Sequence, residues 1–396
     1  MTKAKRAEAL VMGGGIAGIS AALALQKAGL RARVFEARER NADGVGAFLT
    51  IASNGLEALS AIDVDLGALG GFATPTMDLF LGDGRRLTEL SFGADAERPA
   101  PRTIGRAELY TALRSEAERR GIEIAYGKTI CAATSNGKRV LATFEDGESR
   151  EGDLLVGADG LRSRVRTLID PRAPSARYVG LLNTGGYARG IDVPGEPGAM
   201  RLYFGKRCFL GYVKNPNGEA WWFANPSRKT EPTTAELAAI TSDMWREELL
   251  ALFRDDASPA RALVAATAEI FAGWATYDFP RVPTWHRDRM IIIGDAAHAA
   301  SPSSGQGASM AIEDAVVLAK ALRDADDVDA AFALYEAARR PRVERVVAEG
   351  KKSGDGKTPG PLGRVFRDAA LRVIFSGKSK RDPWAFLHRE RVQWAE

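Results

Sequence analysis

Unbroken apolar runs at 9–12 and 290–293, and a third that ends at Val156, each stop at a glycine, and each is followed by a segment of helical character. Runs of this kind suit strands buried on both faces of a parallel sheet. The first opens a βαβ unit: a strand over 9–12, a helix to Ala28 stopped by Gly29, and a strand over 32–36. A helix is predicted over 106–119, stopped by Gly121 and followed by a strand at 122–125. Alternating patterns lie between these units. Strands at 140–144 and 150–154 turn about Asp146-Gly147, and strands within 72–92 turn at Gly82-Asp83-Gly84. Residues 178–225 read as an antiparallel sheet with turns at Gly205-Lys206 and Asn215-Pro216-Asn217-Gly218.

A helical region over 234–253 leads through 274–278 to the strand before Gly294. A long Ala-rich helix follows, then a helical stretch from Arg340-Pro341 to Ala348 and a linker over 350–363. The chain closes on a short basic amphipathic helix with Phe366, Leu371 and Ile374 near one side. That face either packs on the body or meets a membrane or partner. The pattern predicts an α/β nucleotide fold, interrupted by inserted sheet segments and completed late in the sequence.

Composition narrows the picture. The 396 residues are long enough for two domains with a sizeable core. A net charge of +4 arises from 55 basic and 51 acidic residues spread along the chain, which hints at anionic ligands. No basic patch interleaved with aromatics points to nucleic acid. Cys131 and Cys208 show no disulfide or metal spacing, which fits a reducing cytoplasm. His286, His298 and His388 are too scattered for a zinc site, so no metal is expected. No stretch has the length and continuity of a membrane span.

The chemistry concentrates in glycine-rich turns. In Gly13-Gly14-Gly15-Ile16-Ala17-Gly18, Gly13 makes the tight turn, Gly15 admits a pyrophosphate to the helix N-terminus and Gly18 lets the helix pack on the strand. Glu36, followed by Ala37, is placed to bind an adenosine ribose, and its carboxylate disfavours a 2′-phosphate. A second glycine loop, Gly44 to Gly46, precedes a short helix containing Asn54. Arg106 is either a pyrophosphate contact or a surface arginine at a helix start. Gly157-Ala158-Asp159-Gly160 ends another buried strand. In Gly294-Asp295, Pro302 and Gly305-Gln306-Gly307-Ala308, a strand enters a loop and leaves as a helix. The bare N–H groups and helix dipole there would stabilise an anionic ring or phosphate, and Asp295 would bind a polyol.

Taken together, these motifs resemble the single-component FAD-dependent aromatic hydroxylases, the p-hydroxybenzoate hydroxylase class, over roughly residues 8 to 345. The resemblance implies a Rossmann-like FAD-binding domain with an inserted antiparallel-sheet substrate domain and a C-terminal helical segment. The FAD-binding domain would comprise 1–70, 100–175 and 276–340, the substrate domain 71–99 and 176–275, and the last segment 341–396. It further implies FAD with its ADP half at the first motif, Asp159 near FAD and the nicotinamide donor, Asp295 on the ribityl chain and the Gly305 to Gly307 loop facing the isoalloxazine. His298 would be structural in that loop. NADPH or NADH would be a transient reductant, because one dinucleotide fingerprint serves the whole chain. Many relatives have Pro-Asn where this chain has Ser53-Asn54, and a basic residue at Phe279.

The implied activity is a monooxygenase inserting one oxygen atom from O2 into an aromatic or electron-rich small molecule, through a flavin hydroperoxide, in a cytoplasmic monomer or homodimer. Tyr187, Tyr203 and Trp222 would line the substrate wall, though each also reads as an ordinary core or surface aromatic on a strand. If the substrate is a phenol, Tyr212 is the candidate base, since no histidine falls in the inserted sheet. The motifs also admit two other readings. One is a flavin halogenase, whose Trp-x-Trp-x-Ile-Pro pattern departs here at Trp221-Trp222-Phe223-Ala224-Asn225-Pro226. The other is a flavin-binding module without turnover.

Overall fold

The apolar runs pair as predicted. Met290–Ile292, Leu154–Gly157, Glu8–Met12, Arg31–Phe35 and Glu123–Ala125 form a parallel sheet in that order, with His286–Arg287 antiparallel at one edge. The computed structural model describes residues 7–39, 47–91, 97–279, 281–357, 360–376 and 384–395. Helix Ile16–Lys27 is apolar almost all round because it lies between this sheet and helix Gly307–Asp324, burying every residue from Gly18 to Leu25. Each fully buried Leu or Ile there contributes about 1.5–3 kcal/mol. The other sheet face is covered by three antiparallel strands, Ile130–Ser135, Val140–Phe144 and Ser149–Gly152, with Phe144 against Phe35 at 4.9 Å between ring centroids.

The inserted segments build a seven-stranded sheet in the order Trp274–Asp278, Arg177–Ala188, Ala220–Asn225, Phe209–Lys214, Ala199–Phe204, Thr76–Leu81, Arg86–Ser91. It is antiparallel except where Ala199–Phe204 runs parallel to Thr76–Leu81. The expected helix over 234–253 is two helices, Thr234–Ala239 and Ser242–Leu252. Thr241 separates them by capping the second, its hydroxyl accepting from the Met244 N–H. Among the described residues no helix is long and apolar enough to cross a membrane.

The boundary expected at 341 is corrected. One helix, Val328–Asp355, runs through Pro341 and through Gly350, where a linker was expected. Pro341 removes one backbone hydrogen bond, but Arg339, Val343, Val346 and Val347 hold the helix against the body. Gly350 and Gly354 bring it close to the loop: a Cβ added at Gly350 would lie 3.2 Å from Ser304 Cβ, and one at Gly354 3.5 Å from Ser303 Oγ. The basic helix that follows, Pro361–Ser376, leaves Leu362, Val365, Phe366, Val373 and Ile374 exposed.

A buried ionic network fastens helix Val328–Asp355 to the turn after the late strand. Asp314 accepts from the Gly294 N–H at 2.8 Å and from Arg339 Nε at 2.7 Å, and it pairs with His298 Nε2. The adjacent Glu313 accepts from Asn54 Nδ2, and it pairs with Arg339 at 2.7 Å and Arg342 at 2.8 Å. Removing Arg339 leaves two carboxylates buried without their shared cation. Arg339→Met is expected to lose about 3–5 kcal/mol of stability, read as a lower denaturant midpoint. Burial alone would raise the Asp314 carboxyl, but attraction to His298 and Arg339 outweighs it and lowers the group from 3.8 to about 2. Its contribution to stability is therefore complete above 3.8 and lost as pH falls toward 2. Unfolding curves of the protein and of Asp314→Asn, taken through this window, should converge at the acid end.

Candidate active site

The ends of the parallel strands and the N-termini of two helices meet in one crevice. Helix Ile16–Lys27 starts from Gly15, and helix Gly307–Asp324 from Gln306. Neither has a side chain capping its first turn, and neither carries an acidic residue there. Their positive ends converge at Gly294, where an added Cβ would lie 3.0 Å from Ala17 Cβ and 3.3 Å from Ala311 Cβ.

Two kinds of glycine occur here. At Gly13, φ is +105° and an added Cβ would lie 2.4 Å from the Ala158 carbonyl oxygen, while at Gly18 it would lie 1.8 Å from the Gly13 oxygen. Protein packing alone demands both. A Cβ at Gly15 would meet only Tyr110 Cε1 at 3.8 Å, and one at Gly307 would meet nothing within 4 Å. Neither of the two has positive φ. Their bareness serves no contact within the described protein, and it suits backbone N–H groups that a ligand must approach closely.

The remaining predicted residues surround this crevice. Glu36 accepts from the Gly14 N–H at 2.6 Å and the Arg38 N–H at 2.9 Å, with Ala37 exposed beside it. Ile16 and Ala17 are half-buried in the first helical turn. Arg106 is exposed at the start of helix Arg106–Arg119, its guanidinium on the Tyr110 hydroxyl at 3.2 Å and close enough to Asp295 to act on it electrostatically. Asp159 holds its own turn: it accepts from Ser163 Oγ at 2.5 Å, the Arg164 N–H at 2.7 Å and the Val165 N–H at 3.0 Å, which leaves Gly160 at φ +75°. Surrounding protein strips hydration from Asp159 and raises its pKa despite these bonds.

Asp295 has the same cause of upward shift, desolvation, but no hydrogen bond within the described protein, and its side chain opens to the crevice. Pro302 and Gly305 are exposed on the loop, Gly305 being left-handed at φ +62°, and Ala308 is half-buried. His298 is bound to Asp314, away from this opening. Gly46 lies outside the described residues. At the variant positions, Asn54 bridges Gln306 at 3.0 Å and Glu313 at 2.6 Å, and the Phe279 ring carries the Arg166 guanidinium at 4.4 Å.

The substrate-wall expectation needs correction, and strand register supplies the reason. Tyr212 lies opposite Trp222, and Tyr203 opposite Leu210, so all point to one face. That face is a second core, packed with Trp245, Leu249 and Phe253 of the neighbouring helices. Trp222 Nε1 donates to Thr267 Oγ1, and the Tyr212 hydroxyl donates to the Pro194 carbonyl, with burial pushing its pKa far up. Tyr212 is therefore a poor base. The opposite face carries Trp221, Phe223, Phe209 and Tyr187, with Trp221 against Phe48 at 5.6 Å and Phe72 at 5.3 Å. Of the four predicted aromatics only Tyr187 belongs here.

This inner face opens on a cavity of about 310 Å³, lined by Met77, Leu79, Leu202, Phe204 and Phe209 of the sheet and by Ser303 and Ser304 of the loop. Its remaining wall comes from the C-terminal part: Lys357, Arg367, Leu371, Trp384 and His388 among others. None of these was singled out as lining from the sequence. Alternation in 220–225 was the available signal for Trp221 and Phe223, since adjacent residues on a strand face opposite ways.

The crevice fits FAD. Two uncapped helix ends suit its pyrophosphate and anionic ring, and an unpartnered carboxylate suits its polyol. Gly15→Ala is expected to change apoprotein stability by less than about 1 kcal/mol, since its Cβ meets no close neighbour. Flavin content at limiting FAD should fall about tenfold, and Asp295→Ala should act in the same direction. The ratio of flavin to protein absorbance reads both.

An FAD binding domain family model matches residues 6–350. The FAD-dependent urate hydroxylase of Klebsiella pneumoniae is 31% identical over 357 residues, spanning 88% of this chain and 90% of its own. The putative FAD-dependent monooxygenase YetM of Bacillus subtilis is 31% identical over 360 residues, spanning 85% and 90%. Among solved structures, Klebsiella pneumoniae HpxO complexed with FAD and uric acid superposes with a TM-score of 0.82 at 26% identity, covering 95% of this chain and 94% of that one. The halogenase reading gains no support from these relatives. The chain belongs to the FAD-binding family of single-component flavoprotein aromatic hydroxylases and is an FAD-dependent monooxygenase.

Proposed function

We propose that this monooxygenase inserts one atom of O2 into an electron-rich ring of a small molecule held against the inner face of the seven-stranded sheet. The observation that carries this reading is the cavity between that face and the Pro302–Ser304 turn, walled by aliphatic side chains and the Phe204 and Phe209 rings. Phe223 lies flat across the sheet because Gly211 faces it, where an added Cβ would be 2.3 Å from the ring. A flat apolar surface of this kind suits a planar ring. The uric acid bound by HpxO is one such molecule.

FAD supplies the redox and oxygen chemistry when bound. The residues that would hold it are Gly15 and Arg106 for the pyrophosphate, with Gly13 and Gly18 shaping that turn, Glu36 for the adenosine ribose, Asp295 for the ribityl chain and Gly305 to Ala308 for the isoalloxazine. The Gly307–Asp324 helix end would stabilise negative charge on the reduced ring. Asp159 keeps the Gly160 turn in shape, and the aromatic wall excludes water from the reacting atoms. NADH or NADPH would reach the site transiently, because a single dinucleotide fingerprint supports only one resident nucleotide. The free thiols of Cys131 and Cys208 support a reducing cytoplasm.

Aerobic incubation with FAD, NADH or NADPH and a panel of phenols, N-heteroaromatics and polycycles tests the reading by mass spectrometry. A product heavier by one oxygen, formed in step with donor consumption, is the expected result. Absence of donor consumption with every ring offered would overturn it. Phe223→Ala should raise KM about tenfold through lost ring contact while flavin content stays normal. Steady-state kinetics on the panel's best substrate checks this, and an unchanged KM would remove Phe223 from the wall.

A further inference from the structure

Lys357 is the least expected group in the cavity wall. It follows the end of helix Val328–Asp355, in a stretch whose composition reads as a solvated linker, yet it is only 6% exposed. Its Nζ donates to Asn225 Oδ1 at 2.6 Å, and lies 4.3 Å from the centre of the Phe209 ring and 5.9 Å from that of Phe223. Asn225 is on the inner face beside these rings, its own amide directed to the Leu182 and Ala224 carbonyls at 3.3 Å. Lys357 and Phe209 both line the cavity, so the C-terminal chain brings an amine to its wall beside that ring.

No carboxylate answers it. Among the described residues Lys357 has no ion-pair partner, whereas the equally buried Arg339 pairs with both Glu313 and Asp314. Arg367, which packs on the same stretch, is itself basic and donates to the Lys357 carbonyl at 3.2 Å, as well as to the Phe204 and Gly205 carbonyls at 3.1 Å. Cys208 stands nearby on the sheet, and burial holds its thiol protonated far above the usual range. Lys352, Glu349 and His388 line the same cavity, Glu349 accepting from Trp384 Nε1 and His388 held neutral by desolvation at a pKa of about 4. Burial lowers the Lys357 ammonium to about 7. The position offers an entering anion an amine that no resident carboxylate neutralises.

We propose that Lys357 is the counter-ion for an acidic ring hydroxyl, so that the cavity selects substrates carrying a phenol or enol and binds them as the phenolate or enolate. This deepens the reading of a ring hydroxylase and rests on it. The step is a proton transfer alone: the substrate O–H bond breaks, its proton joins the Lys357 lone pair, and the electron pair stays on oxygen as an ammonium–oxyanion pair. No oxidant or reductant is required. The negative oxygen feeds electron density into the ring, which the insertion of an electrophilic oxygen atom needs. Asn225 Oδ1 fixes the amine in direction and Phe209 stabilises its charged form across the ring face.

The test is equilibrium binding to the FAD-loaded protein with no reductant present, so that its result does not depend on turnover. The probes are 4-nitrophenol and 7-hydroxycoumarin, each against its methyl ether, 4-nitroanisole and 7-methoxycoumarin. The expected result is at least tenfold tighter binding of the hydroxyl compounds, with the absorbance or fluorescence of the bound anion growing in at a pH where the free probe is largely neutral. Lys357→Met should erase the preference, leave the ethers' affinity within about twofold and keep the flavin spectrum. Lys357→Arg should restore most of the preference, which a purely structural role would not do. Failure of every hydroxyl probe to bind the unaltered protein better than its ether overturns the proposal, whatever the variants do. Retention of the preference by Lys357→Met overturns it equally. If the preference holds but no ring compound is ever oxygenated, the counter-ion stands and the hydroxylase reading falls.

Discussion

Two buried carboxylates, Glu313 and Asp314, hold together parts of the chain that are remote in sequence. Through them Asn54, Gly294, His298, Arg339 and Arg342 share one network with no solvent to screen it. Such a network adds little net stability over an apolar core of the same volume, because each charge gives up its hydration. What it fixes is position. Asp314 clamps the backbone where the strand Met290–Ile292 turns into the loop, and Glu313 clamps the helix Ser53–Ala61 against the same loop. The loop that carries Pro302 to Gly307 is thus set from both sides by charge.

That constraint explains why the first turn of helix Gly307–Asp324 can remain uncapped. An uncapped helix end ordinarily frays or takes a side chain or water. Here the helix is held within its first turn by Ser309, whose hydroxyl takes the Ala52 N–H at 3.1 Å and against which an added Cβ on Gly55 would lie at 2.7 Å. Helix Ile16–Lys27 is fixed in a different way, by apolar burial on both sides. Two unrelated kinds of interaction therefore deliver two positive helix ends to one crevice.

Much of the nucleotide-binding half was legible because its signals are local. The helix Arg106–Arg119 and the strands around Asp146-Gly147 lie where spacing and turn residues put them. Pro341 and Gly350 were read as breaks because their backbone preferences are local too, and tertiary contacts with Ser301 to Ser304 overrode them. Tyr203, Tyr212 and Trp222 were assigned to the wrong face because a strand's composition does not say which side meets the core. Their pairing with Leu210 and each other does. Lys357 and Arg339 gave no local sign, since a buried cation and a solvated one are the same letter in a sequence.

The strand order of the parallel sheet has a consequence for how the protein is made. Its central strand, Glu8–Met12, is synthesised first, one neighbour at Leu154–Gly157 follows after about half of the chain up to Met290, and the strand that leads to Asp295 arrives last. A ribosome-bound chain therefore exposes an unpaired, wholly apolar sheet edge until Met290–Ile292 has emerged. Closing that edge requires contacts across about 135 residues, from Leu155 to Met290, which places the slow step of folding late and makes it non-local. The half of the cofactor crevice formed by Asp295 and the Gly305 to Ala308 loop comes into being at the same moment, after the half at Gly15 and Glu36.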